Sequence, residues 1–202
     1  GASDFNVMQG DTLRDPKILQ GGNIAKFDCV IANPPFSLEN WGATEWSSDK
    51  YKRNIYGTPS DSCGDYAWIQ HMICSMSSGK GRMAVVMPQG ILFRGNQEAE
   101  IRKQLVESDL IEAVVTLGDK LFYGTGLSPC FLIIRRMKQA HHSGRILMID
   151  GSKILTQKRA QNILEENDID RLYSLYQNYS DEEDYSRIVT LQEIRDKEYN
   201  LS

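Results

Sequence analysis

One short run constrains this chain more than any other. Phe27-Asp28-Cys29-Val30-Ile31-Ala32 is rich in apolar, β-forming residues and stops abruptly at Asn33-Pro34-Pro35. Proline has no backbone N–H to give to a ladder, so two in succession end strand pairing, and a buried strand is predicted to finish at residue 32 or 33. From Asp65 to Met76 the apolar residues Tyr66, Ile69, Met72, Ile73 and Met76 recur at helical spacing until Ser77-Ser78-Gly79 breaks the pattern. Met83 to Met87 reads as a second buried strand closed by Pro88, and Gln97 to Glu107 as a second helix with Ile101 and Leu105 facing inward. Leu110–Leu117, Phe131–Ile134 and Ile146–Ile149 give three further strands. Strands separated by helices early and joined by loops late predict an α/β sheet, parallel in its first part, with a C-terminal antiparallel return. After Asp150 the texture changes to a helix over Ile169–Tyr176, an acidic loop at Asp181–Asp184 and a capped short helix at Thr190–Ile194. We therefore assign residues 1–150 to the sheet domain and 151–202 to a helical docking tail.

A chain of 202 residues is long enough to bury one sizeable core and too short for a multidomain machine. No run approaches the roughly 18 to 20 uncharged apolar residues needed to cross a bilayer. Gly1-Ala2-Ser3-Asp4 holds neither a basic leader nor an apolar signal core, so a cytoplasmic location is expected. Cys29, Cys63, Cys74 and Cys130 form no C-x-x-C pair, and the histidines show no ligand spacing, so reduced thiols and no metal site are expected. The net charge of -4 lacks the basic excess of a stand-alone nucleic-acid binder. Only residues 79–145 are locally basic, with ten Lys and Arg against six Asp and Glu, which suits either a solvated face or a phosphate-facing one.

Asn33-Pro34-Pro35-Phe36 places a side-chain amide, a rigid carbonyl and an aromatic ring together at the carboxyl end of a strand, where open α/β sheets bind ligands. That combination suits an exocyclic amine on a nucleobase. Such an amine is a poor nucleophile because its lone pair is delocalised into the ring. Two fixed oxygens accepting both of its hydrogens, Asn33 Oδ1 and the Pro34 carbonyl, draw it toward tetrahedral geometry and free the lone pair. Phe36 then stacks on the face of an extruded base, and catalysis comes from orientation and fixed dipoles. The alternative is a Pro-Pro turn with Phe36 as a core lid.

Beyond these four residues the chain resembles the methylation (modification, M) subunit of type I restriction-modification systems. The resemblance runs through Gln9-Gly10-Asp11-Thr12-Leu13, Lys26 to Phe36, Tyr56-Gly57-Thr58-Pro59-Ser60 and Asp65 to Met72. It continues through Gly81 to Pro88, Gly90 to Gly95, Glu100-Ile101-Arg102-Lys103, Leu121 to Gly126 and Tyr199-Asn200-Leu201. It implies a partial Rossmann-like sheet of the class I S-adenosylmethionine-dependent methyltransferases, with residues 1–150 the C-terminal part of the catalytic domain. It also implies site-specific N6-adenine methylation of double-stranded DNA, with a specificity subunit and a restriction subunit as partners. By the same resemblance Asn33, Pro34, Pro35 and Phe36 are the catalytic set, and Asp11, Thr12 and Asn33 contact S-adenosyl-L-methionine. Phe36, Phe122, Tyr123 and Arg94 then face the target base or DNA. Asp11 also reads as a turn cap, Phe122 and Tyr123 as core plugs, and Arg94 and Arg102-Lys103 as a solvated helix face.

The family binds its methyl donor through a glycine-rich loop upstream of the segment that corresponds to Asp11. No such loop precedes residue 9, and neither Tyr123-Gly124-Thr125-Gly126 nor Ile149-Asp150-Gly151 is a permuted copy, so the cofactor site in this stretch is expected to be incomplete. The family's first three strands flank the strand ending at Asn33, so that strand's edge should be unpaired and prone to self-association. Two other readings stay open. One is an assembly module that transfers no methyl group; the other is a methyltransferase for protein glutamine or RNA, since both use Asn-Pro-Pro-aromatic motifs.

Overall fold

The computed structural model describes residues 5–122, 126–159 and 161–202. A small hairpin, β1 (Leu19–Gln20) and β2 (Asn23–Ile24), precedes the main sheet. The sheet itself is built from β3 (Cys29–Ala32), β4 (Arg82–Pro88), β5 (Ile111–Leu117), β6 (Pro129–Arg135), β7 (Arg145–Gly151) and β8 (Ser186–Thr190). Their spatial order is β3-β4-β6-β5-β7-β8. The helices are α1 (Ala43–Ser47), α2 (Asp65–Ser75), α3 (Asn96–Glu107), α4 (Glu166–Asn178) and α5 (Leu191–Asp196).

The mixed α/β sheet agrees with the expected class, but the antiparallel return lies inside it. β6 runs antiparallel between β4 and β5, while β3–β4 and β5–β7 pair in parallel and β8 closes the far edge antiparallel to β7. The chain leaves β5 through a loop and doubles back beside it, and the same strand takes up the hydrogen bonds of β4 on its other side.

Strand period decides which residues meet which layer. Val114 joins a cluster with Tyr66, Ile69 and Met72 of α2 and Ile101 and Leu105 of α3, whereas Ala113 and Val115 face Leu147, Ile149 and Leu175 on the opposite side. The helix read over Asp65–Met76 forms to Ser75, and Met76 leaves it in an extended conformation. The short helix at Thr190 forms with the expected reciprocal cap, Thr190 Oγ1 accepting from Glu193 N at 3.2 Å.

Two expectations need correction. β3 is not buried: as the family resemblance implied, it is an edge strand, paired among the described residues with β4 alone, and Ile31 is 77% exposed. Its apolar sequence records a preference for burial, but burial needs a neighbour on the other side. The segment after residue 150 is also more than helical, because β8 extends the sheet. α4 is docked by a buried carboxylate at the β5 bulge: Glu112 accepts from Tyr176 Oη at 2.5 Å and from Arg135 Nε at 2.6 Å. Among the described residues, no helix is long and apolar enough to cross a membrane.

Candidate active site

Asn33 follows the last paired residue of β3, at the carboxyl end of a parallel strand. Its side chain is exposed, while Pro34 is buried, Pro35 exposed and Phe36 half-buried. Among the described residues neither the Asn33 amide nor the Pro34 carbonyl has a hydrogen-bond partner. Pro34 is anchored, and the two acceptors beside it are uncommitted. Phe36 meets Phe122 edge-on, with centroids 6.0 Å apart and planes at 72°. The loop after β5 therefore comes to the same rim as the Asn-Pro-Pro-Phe turn. Tyr123 lies outside the described residues.

The next residue, Ser37, has φ 49°, a left-handed conformation uncommon for a side chain with Cβ. Its N–H donates to Asp65 Oδ1 at 2.7 Å, and Asp65, fully buried, opens α2. The other carboxylate oxygen receives Arg94 Nη1 at 2.8 Å. The same guanidinium nitrogen reaches Glu98 at 3.2 Å and Cys63 Sγ at 3.0 Å. Burial pushes the Cys63 thiol up to about 12, so it stays protonated and unreactive near neutral pH. Cys63, Asp65 and Glu98 are close enough together to hold a metal ion, yet the cationic nitrogen of Arg94 lies within 3.3 Å of all three. Arg94 thus sits beside the turn, 31% exposed and spent mostly on internal acids. Arg102 does not face solvent: it is buried and donates to the carbonyls of Tyr199 and Arg94, each at 2.8 Å.

The segment around Asp11 is held from beneath. Asp11 Oδ1 accepts from the N–H groups of Leu13 and Arg14, both at 3.0 Å, so this carboxylate caps its own turn, and it remains about half exposed. The carbonyls of Thr12 and Leu13 accept from Arg53 at 2.9 and 2.6 Å. Arg53 is only 1% exposed, pairs with Asp49 at 2.7 Å and lies over the Trp46 ring at 4.5 Å. Burial opposes ionisation of Asp49, but hydrogen bonds from Arg53 outweigh it and hold that carboxyl below its ordinary value. His71 Nδ1 lies 3.2 Å from Arg53 Nη1. Burial first, then the Arg53 charge, pushes the imidazole down to about 4, leaving it neutral. Thr12, Ala32 and His71 line a groove of about 300 Å³ that runs along the open edge of β3.

Sequence reasoning placed Asn33 to Phe36, Phe122 and Arg94 at one rim, and the structure brings them together there; Asp11 and Thr12 sit apart from them, in a separate turn of which Thr12 lines the groove. It missed Arg53, Asp49 and Gln70. Gln70 explains the Tyr56 segment: its amide accepts from Tyr56 N at 2.7 Å and donates to Gly57 O at 3.0 Å. A lone buried arginine or glutamine has no periodicity to announce it.

A half-open α/β sheet with an Asn-Pro-Pro-Phe turn at the carboxyl end of its edge strand defines the class: part of a Rossmann-like methyltransferase sheet. The model of the N-6 DNA methylase family matches residues 1–202, and the chain belongs to that family. It is 35% identical to the type I restriction enzyme MjaVII methylase subunit of Methanocaldococcus jannaschii, covering all of this chain and 35% of that protein. The HindI methylase subunit of Haemophilus influenzae is 28% identical over 98% of this chain and 45% of its own length. Among solved structures, the type I restriction-modification methyltransferase subunit from Streptococcus thermophilus superposes with a TM-score of 0.85 at 28% identity, over 95% of this chain and 40% of that one. The chain thus spans between about a third and just under half the length of these relatives.

Proposed function

We propose that this chain is the base-binding half of the catalytic domain of a type I modification subunit, an N6-adenine DNA methyltransferase. The observation that carries the reading is the pair of uncommitted acceptors, Asn33 Oδ1 and the Pro34 carbonyl, next to the Phe36–Phe122 aromatic corner at a strand end. Asn33 and Pro34 accept the two amino hydrogens of an extruded adenine, and Phe36 and Phe122 supply apolar faces against its ring. Asn33 is acceptor and donor but not a base, so the surplus proton leaves to water at the exposed rim. Arg94 borders that rim, its charge taken up by Asp65 and Glu98.

When bound, S-adenosyl-L-methionine would supply the electrophilic methyl group that adenine N6 accepts. The described residues fit one wall of its site: the turn at Asp11 and Thr12, of which Thr12 lines the groove. Both oxygens of Asp11 already have partners, Oδ1 in its own turn and Oδ2 the Arg14 guanidinium at 3.4 Å, so a ligand there would share Oδ2 with Arg14. We further propose cytoplasmic double-stranded DNA as substrate and the specificity and restriction subunits as partners. The uncovered β3 edge, with Ile31 in the open, favours a second role in assembly, through further strands or a second copy.

The test is Asn33→Ala in the complete enzyme. Transfer of labelled methyl groups to duplex DNA should fall below detection while cofactor affinity measured by calorimetry stays within about twofold, since removing one preorganised dipole costs on the order of 100- to 1000-fold. Retained turnover would sink the reading.

A further inference from the structure

We infer that Asp65, held in place by Arg94 and Glu98, is a positioning residue for the base-binding turn, an inference that rests on the function proposed above. The Asn-Pro-Pro-Phe turn must present two acceptors at fixed directions, yet the chain leaves it through Ser37 in a left-handed conformation, uncommon for a residue with a Cβ and so dependent on the contacts around it. Ser37 is held by a hydrogen bond from its N–H to Asp65 Oδ1, across 28 residues of sequence, and the next carbonyl, that of Leu38, accepts from Gly64 N at 2.9 Å. Asp65 is fully buried, and its direction is fixed from the other side by Arg94 Nη1 on Oδ2. Arg94 Nη2 also points toward Ser37 Oγ at 3.4 Å, so the guanidinium borders the turn directly.

The supporting parts are chosen to fit. Glu98 stands one turn into α3 and shares the guanidinium at 3.2 and 3.3 Å, giving the cation two acids. Gly90 leaves room: a Cβ there would lie 2.3 Å from Arg94 Nε. Both Asp65 oxygens therefore face donors, Oδ1 the Ser37 amide and Oδ2 the Arg94 guanidinium and, at 3.3 Å, the Cys63 thiol. An amide at this position would have to turn its NH2 toward one of them. Asp65→Asn thus breaks the device without changing its size. Removing the guanidinium as well, in the double variant Asp65→Asn/Arg94→Met, lets the amide oxygen face Ser37 and its NH2 face Glu98.

The test uses the complete methylase with its specificity subunit, on a duplex carrying the site mapped as methylated in cells that express it. Single-turnover methyl transfer, cofactor affinity and the fluorescence of 2-aminopurine at the target position are recorded together. Asp65→Asn should slow transfer on the order of 100-fold, as a misplacement of about 1 Å does. Cofactor affinity should be unchanged, and the fluorescence of the extruded base should fall. The double variant should recover most of that loss. Gly90→Ala, which keeps every charge and displaces the guanidinium, should slow transfer in the same direction and serves if Asp65→Asn does not fold.

Wild-type transfer and fluorescence in folded Asp65→Asn, or in Gly90→Ala where Asp65→Asn does not fold, would overturn the inference. So would a double variant no better than Asp65→Asn. Asn33→Ala is assayed in parallel: if it is inactive while Asp65→Asn or Gly90→Ala runs at the wild-type rate, only the positioning role falls. If Asn33→Ala is active, the functional reading itself falls.

Discussion

Arg53 and Arg94 each sit against a carboxylate and each hold the backbone beside a proposed ligand wall, yet they are built differently. Arg53 and Asp49 are a one-to-one pair, 1% and 6% exposed, walled by Trp46 and bonded directly to the Thr12 and Leu13 carbonyls. Arg94 faces two acids, remains 31% exposed and reaches the turn chiefly through Asp65. A pair sealed from water acts as a nail, because its desolvation is already complete and any loss leaves a bare charge. One that keeps a third of its surface in water gives less stability and leaves its loop able to respond to what binds there.

The contrast can be broken most sharply at Arg53. Arg53→Met strands Asp49 in a buried site and frees two carbonyls, so urea denaturation should show a loss of about 3 to 5 kcal/mol. A loss under about 1 kcal/mol would mean the pair is not sealed as the structure has it. Next comes pH. The His71 imidazole titrates near 4 in the folded chain against 6.5 when unfolded, so the unfolded state takes up the proton first as pH falls. The contribution is complete above about 6.5 and drains away toward pH 4, roughly 3 kcal/mol in all. His71→Leu should flatten this part of the stability profile, read by denaturation at pH 7 and pH 5 against wild type. The smallest effect belongs to Gly90→Ala. Arg94 is long and can swing aside, so stability should change by about 1 kcal/mol or less while transfer slows. A large stability loss there would show that Arg94 is as rigidly seated as Arg53.

Most of the sheet was legible beforehand, and the reason differs from one element to another. β4, β5 and β7 are apolar on both faces and bounded by Gly, Pro or Ser, so local pattern sufficed. α2 announces itself through period and through Asp65 at its start. β8 escaped notice because it is five residues long, half-exposed, and becomes a strand only by completing the edge of β7. The position of β6 escaped too, since a strand's sequence does not name its neighbours. At the site, Asn33 to Phe36 stood out by chemistry and position, whereas Asp49, Arg53 and Gln70 had no local signature.

The sequence alone determined most of the strands and helices to within a few residues, and which four residues carry the amide, the rigid carbonyl and the ring, because both follow from neighbours within a few positions. Only the tertiary structure decided that β6 runs antiparallel between β4 and β5, that Phe122 meets Phe36, and that two arginines far along the chain hold the turns at Thr12 and Ser37. The contacts at Phe36, Thr12 and Ser37 join residues 28 to 86 positions apart, and their energy comes from burial and charge pairing that no stretch of sequence possesses before the chain closes on itself.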